Sequence, residues 1–103
     1  MNTINRPSPN FTKGRTKAVT TIVVHYTGSD SAESACSWFE NKASNVSAHY
    51  VISKGGDVYK CVGTTDVAWH AGFSKGPNGL GVNKYSIGIE LARTGDKYPS
   101  MQL

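Results

Sequence analysis

Two short apolar runs in this chain each carry one side chain capable of chemistry. The first is Ile22-Val23-Val24-His25-Tyr26-Thr27-Gly28, and the second is Ser86-Ile87-Gly88-Ile89-Glu90-Leu91. Both have the β-branched composition of strands. A buried strand would ordinarily place another Val or Ile where His25 and Glu90 stand. An imidazole and a carboxylate held on rigid strands are the smallest kit for metal-assisted hydrolysis, one metal ligand and one general base.

Strand alternation sorts these side chains by face. Ile22, Val24 and Tyr26 share one face of the first strand, and Val23 and His25 share the other. Ile87, Ile89 and Leu91 share one face of the second strand, with Ser86, Gly88 and Glu90 opposite. If the strongly apolar faces pack against a helix, His25 and Glu90 emerge together on the opposite, open face. Gly88 would leave room beside Glu90. This arrangement requires the two strands to be close neighbours.

The remaining elements follow from local pattern. Residues 1–19 read as an extended arm, because Pro7-Ser8-Pro9-Asn10 disfavours helix and Lys13-Gly14-Arg15 continues the loop. The domain proper begins at residue 20. Asp30 suits an N-cap with Glu33 three residues on. Ala32, Ala35, Cys36, Phe39 and Ala43 then form one apolar helical stripe with Trp38 at its edge. Residues 47–53 and 57–62 read as a hairpin turning at Lys54-Gly55-Gly56. Residues 63–85 read as a long functional loop. Cys36 and Cys61 lack the spacing of a metal or redox pair and read as small buried side chains.

A chain of 103 residues is one small domain. Eleven Lys+Arg against seven Asp+Glu give a formal net charge of +4, which favours polyanionic surroundings. The positive charges are scattered, so a nucleic-acid partner ranks below a cell-wall polymer. No apolar run reaches the length of a membrane span, and the N-terminus has no apolar signal core. If the protein works outside a cytoplasm, something else must release it.

Several segments, in order, carry a resemblance. They are Ser8-Pro9-Asn10-Phe11 through Arg15, Ile22 to Thr27, Val46-Ser47-Ala48-His49-Tyr50-Val51-Ile52, Gly56-Asp57-Val58-Tyr59, Ala68-Trp69-His70-Ala71-Gly72, and Asn83 through Glu90. Together they make the chain resemble the zinc-dependent N-acetylmuramoyl-L-alanine amidases, a group that includes phage endolysins, wall-recycling amidases and peptidoglycan recognition proteins. The resemblance implies that His25 is the first zinc ligand and Glu90 the catalytic base. It places His70 and Trp69 beside the substrate groove. His49 reads as a hydrogen-bonded structural histidine. Asn83 reads as a turn residue ordering the approach to the Glu90 strand, with a substrate contact as the alternative. Arg15 and Arg93 read as solvated, and Trp38 and Phe39 as core or core edge.

The family's zinc takes a second His and a Cys or Asp further downstream, and this sequence does not reach them. Nothing in the spacing brings His49 or His70 to His25. Tyr98-Pro99-Ser100-Met101-Gln102-Leu103 resembles the first turn of a helix that the family continues. The resemblance therefore implies an α/β (α+β) fold: a central mixed sheet of about four or five strands flanked by helices, lacking the C-terminal strand and helices. Such a domain has an uncovered apolar sheet face, which predicts a second chain completing it or a homo-oligomer. The implied function is zinc-dependent hydrolysis of the amide between N-acetylmuramic acid and L-alanine in peptidoglycan, bacteriolytic in an endolysin. The alternative is a non-catalytic module binding muramyl peptide, or an inactive fragment.

Overall fold

The computed structural model describes residues 2–72, 75–77 and 79–93; the expected helical turn at 98–103 lies outside them. The strands are β1 (Thr3–Asn5), β2 (Phe11–Thr12), β3 (Thr21–Tyr26), β4 (Tyr50–Ile52), β5 (Val58–Lys60), β6 (Val67–Ala68), β7 (Lys75–Gly76), β8 (Gly79–Leu80) and β9 (Ser86–Leu91). Helix α1 spans Ala32–Glu40, and 3₁₀ turns occupy Lys42–Ser44 and Val82–Tyr85. Five strands form a mixed sheet in the order β1-β5-β4-β9-β3, within the strand number expected. β4 and β5 are the antiparallel hairpin; β1 on β5, β4 on β9 and β9 on β3 are parallel. The mixed α+β architecture with one helix is the fold class expected.

The side on which the helix packs differs from expectation. Register pairs Ile4 with Tyr59, Tyr59 with Val51, Val51 with Glu90 and Glu90 with His25. Directly paired residues share a sheet face, so these five lie on one side. Ala32, Cys36 and Phe39 of α1 are buried in one cluster with Val51, Tyr59, Cys61 and Ala92. The helix therefore covers the His25–Glu90 face and leaves the more apolar parity of β3 and β9 outside. That second face presents Ile22, Val24, Ile87, Ile89, Leu91 and Ile52, with Ile22 62% exposed, and no α-helix covers it among the described residues. Two strands could not reveal the helix side, because strands in parallel sheets are built to be covered on both faces. Val51 and Tyr59, on the hairpin, decide it.

The helix also starts one residue later than its sequence suggests. Ser31 is the N-cap, its Oγ accepting from Ser34 N at 3.1 Å. Asp30 instead meets Lys54 Nζ at 3.4 Å. Ala32, Cys36 and Phe39 are buried as the stripe predicts, while Ala43 falls in the exposed 3₁₀ turn and Trp38 is 56% exposed. Both cysteines are free and buried.

Residues 2–19 are extended but built into the fold. β1 is an edge strand, and β2 pairs with β6. Arg6 grips α1 through Glu40, with Nε–Oε2 at 2.7 Å and Nη2–Oε1 at 3.0 Å, and also meets Glu33. Ser8 and Asn10 close the end of the helix. Asn10 Nδ2 lies 3.2 Å from Phe39 O, 3.0 Å from Asn41 O and 3.0 Å from Val46 O. Phe39 O lies at the helix end, where carbonyls lack intrahelical partners; Asn41 O also accepts from Ser44 N at 3.0 Å. The 63–85 segment, expected as loop, contains β6, paired β7 and β8, and a 3₁₀ turn. Such two-residue strands are too short to show periodicity.

Asn10→Leu keeps the branched outline of the side chain but removes the donor that Val46 O meets, and is expected to lower unfolding free energy by about 2–3 kcal/mol. Ser31→Ala removes only the cap and should cost about 1 kcal/mol. Urea titrations of the two variants should rank them in that order; the reverse ranking would contradict this account.

Candidate active site

The site is built where β3 and β9 run side by side. Their parallel register sets His25 directly opposite Glu90, on the face that α1 overhangs. Glu90 lines a cleft of about 360 Å³ together with His70, Trp69, Trp38, Ser47 and Thr27. The helix forms one wall through Ala35, Trp38 and Phe39; Trp69 belongs to the other. Trp69 also lines a second cavity of about 710 Å³, with Lys13, Leu80 and Lys84, so its indole divides two concave surfaces. Its Nε1 donates to Thr12 Oγ1 at 3.0 Å.

His70 occupies the space that Gly88 leaves. A Cβ at position 88 would sit 2.5 Å from His70 Cδ2, closer than any side chain tolerates. Gly88 is therefore no opening beside Glu90: it is the seat of an imidazole. His70 Nδ1 lies 3.2 Å from His25 Nε2, and its own Nε2 lies 2.9 Å from Ser86 Oγ. The structure thus brings His70 to His25, which sequence spacing gave no reason to expect. His25 is not among the residues lining the cleft; it meets the site through His70.

Burial sets the electrostatics. It raises the Glu90 carboxyl from 4.5 to about 7. It lowers His70 from 6.5 to about 3, with smaller contributions from His25, His49 and Arg15. His25 and His49 are also lowered, in each case chiefly by burial. At neutral pH the three rings are uncharged, and Glu90 is poised to exchange a proton.

Asn83 holds the His70 loop. Its Oδ1 accepts from His70 N at 3.2 Å and Ala71 N at 2.8 Å. Its side-chain oxygen is thus committed to the protein backbone. Arg15 is not solvated as expected. It donates to Thr64 O at 2.8 Å, Lys84 O at 3.2 Å and Ser86 O at 2.9 Å, tying the turn before β9 to the loop after β5. This role leaves no residue-type signal in the sequence, since its acceptors are backbone carbonyls. Ser86 also belongs to the site, bonding His70, and its shared parity with Glu90 is the sequence signal for that place. His49 is fully buried and hydrogen-bonded, in line with its structural reading.

As a metal centre the described residues are incomplete. His25 is a neutral imidazole on a rigid strand and suits one position. No group of three His, Cys, Asp or Glu side chains among the described residues could hold a metal ion. A catalytic zinc takes about three protein ligands.

The mixed sheet with one overhanging helix is shared with solved structures, an amidase among them. The chain superposes on the crystal structure of a selenomethionyl AmpD derivative with a TM-score of 0.75 at 27% identity, covering 87% of this chain and 60% of that one. It superposes on the amidase AmiD from E. coli, solved with the substrate anhydro-N-acetylmuramic acid-L-Ala-D-γ-Glu-L-Lys, with a TM-score of 0.62 at 28% identity, covering 81% of this chain and 35% of that one. The chain belongs to the N-acetylmuramoyl-L-alanine amidase family, whose pattern matches residues 15–103. Its sequence is 38% identical over 72 residues to N-acetylmuramoyl-L-alanine amidase A of Achromobacter lyticus, covering 69% of this chain and 36% of that relative. The chain therefore spans less than two thirds of the length of each of these relatives.

The opposed shifts of Glu90 and His70 predict a pH profile of stability. Glu90 binds its proton more tightly when folded, so its contribution is complete below pH 4.5 and is lost as pH rises to about 7. His70 works in the other sense: its contribution is complete above pH 6.5 and is lost as pH falls toward about 3. The two slopes offset each other between pH 4.5 and 6.5, leaving the acid-side losses from His25 and His49. Glu90→Gln removes the offset. Its denaturant midpoint should fall more steeply on acidification through that window, by the equivalent of about one proton. Parallel wild-type and variant profiles would contradict the assignment. Separately, Gly88→Ala should displace His70 and cost about 1–3 kcal/mol, read from the same titrations.

Proposed function

We propose that this chain carries the catalytic floor of a peptidoglycan amidase. The bond cleaved is the amide between the lactyl group of N-acetylmuramic acid and the L-alanine of the stem peptide. The observation that carries this reading is the β3–β9 register, which sets His25 opposite a Glu90 that lies in a cleft and is tuned to about pH 7. Family membership makes amide hydrolysis in peptidoglycan the natural chemistry for that cleft. A muramyl peptide of the kind present in the AmiD complex is the substrate class proposed.

Glu90 is the proton carrier. Near neutral pH a large fraction of it is ionised, and it takes a proton from water as the water oxygen bonds to the amide carbon. It then returns that proton to the leaving nitrogen as the C–N bond breaks, so a carboxylic acid and an amine result. Trp38 and Trp69 wall the cleft and limit water around the reacting amide. Neutral His70, seated on Gly88 with its two ring nitrogens meeting His25 and Ser86, forms a rigid part of the cleft that Glu90 also lines.

The resemblance implies zinc, which when bound polarises the carbonyl and lowers the pKa of water. His25 is the donor proposed here. The other donors are assigned to polypeptide beyond the described residues or to a second chain completing the domain. The site of action proposed is the bacterial wall, as an endolysin-like lytic enzyme or as a recycling enzyme.

Hydrolysis of purified cell walls or a muramyl tripeptide tests this reading. Glu90→Gln should lower kcat by about 10²–10⁴-fold. His25→Ala should abolish zinc uptake, and a chelator should stop wild-type turnover. Turnover that ignores both chelator and His25→Ala would overturn the zinc assignment. Binding of muramyl peptide without hydrolysis would make the chain a recognition module instead.

A further inference from the structure

His49 makes more contacts than a packing histidine needs. Its backbone N–H donates to Gly88 O at 3.0 Å, and its ring Nδ1 accepts from Gly88 N at 3.1 Å. β4 begins only at Tyr50, so the imidazole extends the β4–β9 pairing one step past the strand. Its Nε2 lies 2.9 Å from Asp66 O, one residue before β6 and four before His70.

These partners assign the tautomer. Nδ1 accepts a hydrogen bond and is therefore unprotonated, so the neutral ring carries its proton on Nε2 and donates it to the Asp66 carbonyl. Arg15 Nη2 also lies 3.1 Å from Nε2, but both atoms are then donors. The guanidinium gives its hydrogen to Ser86 O at 2.9 Å instead. The ring is fully buried, so water cannot replace either partner. A single imidazole thus links β4, β9 and the segment leading to His70. It grips β9 at Gly88, the residue on which His70 rests, two positions before Glu90.

We infer that His49 is a positioning residue: its Nδ1 bond to Gly88 sets where Glu90 and the His70 ring stand in the cleft. The inference rests on the hydrolytic reading of that cleft. A displacement of about 1 Å is enough to cost a hundredfold in rate, and Gly88 has no side chain of its own to resist one.

Two isosteric variants separate the ring's two bonds. Asn at position 49 offers its Oδ1 near the place of Nδ1, and Gln offers its Nε2 near the place of the Nε2–H. In the full-length protein, His49→Ala and His49→Gln should lower kcat by about tenfold to a hundredfold with KM within about twofold. His49→Asn should recover most of that loss. A His49→Gln enzyme as fast as His49→Asn, or a loss confined to KM, would overturn the proposal. Nitrogen NMR of the unaltered protein tests it without relying on activity or on a variant that folds. His49 should appear as the neutral Nε2–H tautomer, with the Gly88 amide among the slowest to exchange. An Nδ1–H tautomer or a rapidly exchanging Gly88 amide refutes the positioning role. If the unaltered protein cleaves no muramyl peptide, the hydrolytic reading fails, and these two NMR results still decide the geometry.

Discussion

Position 88 has no room for a side chain, and the architecture of the site follows from that. The imidazole of His70 lies against the bare backbone of β9, where a Cβ would collide with it. Seated there, the ring reaches both His25 and Ser86. Glu90 follows two residues later on the same face, in register with His25. A stretch of sheet that would otherwise be apolar core becomes a polar floor. The overhanging helix then removes water from it, and burial is the chief cause that moves Glu90 upward and the histidines downward.

Around this floor, irregular backbone is held by small buried polar side chains. Ser8, Asn10, Ser47, His49 and Ser86 are all nearly inaccessible. Ser47 Oγ donates to Asn10 O and accepts from Trp69 N, so the segment that caps α1 also steadies the groove tryptophan. Arg15 and His49 do the same for the lead-in to β9. Each group is satisfied by a partner that itself needs one. In a low-dielectric interior such a network is stiff, because breaking any bond leaves a desolvated group behind. That stiffness lets residues from short strands and loops serve as a site at all.

The sheet serves two purposes on its two sides. The inner face carries the helix and the cleft. The outer face keeps Ile22, Ile87, Ile89 and Leu91, the pattern of parallel strands that are buried on both sides. The apolar parity of β3 and β9 lies on the face that no described α-helix covers, and the chemical parity lies with the site on the other.

Much of this was legible along the chain. The β3 and β9 runs, the hairpin, the helix stripe of Ala32, Cys36 and Phe39, and the shared parity of His25 and Glu90 all follow from periodicity, which is a local property of backbone geometry. The ordered motifs pointed to the family because they record residue types at fixed separations. What the sequence left open was every relation between distant segments: which face α1 covers, that His70 fills the Gly88 gap, and that Arg15 binds carbonyls instead of water. Those depend on how segments distant in sequence meet, as His25 and His70 do across 45 positions. Identity and spacing determined which side chains were capable of chemistry; only tertiary packing, by excluding water and choosing neighbours, decided which of them share one cleft.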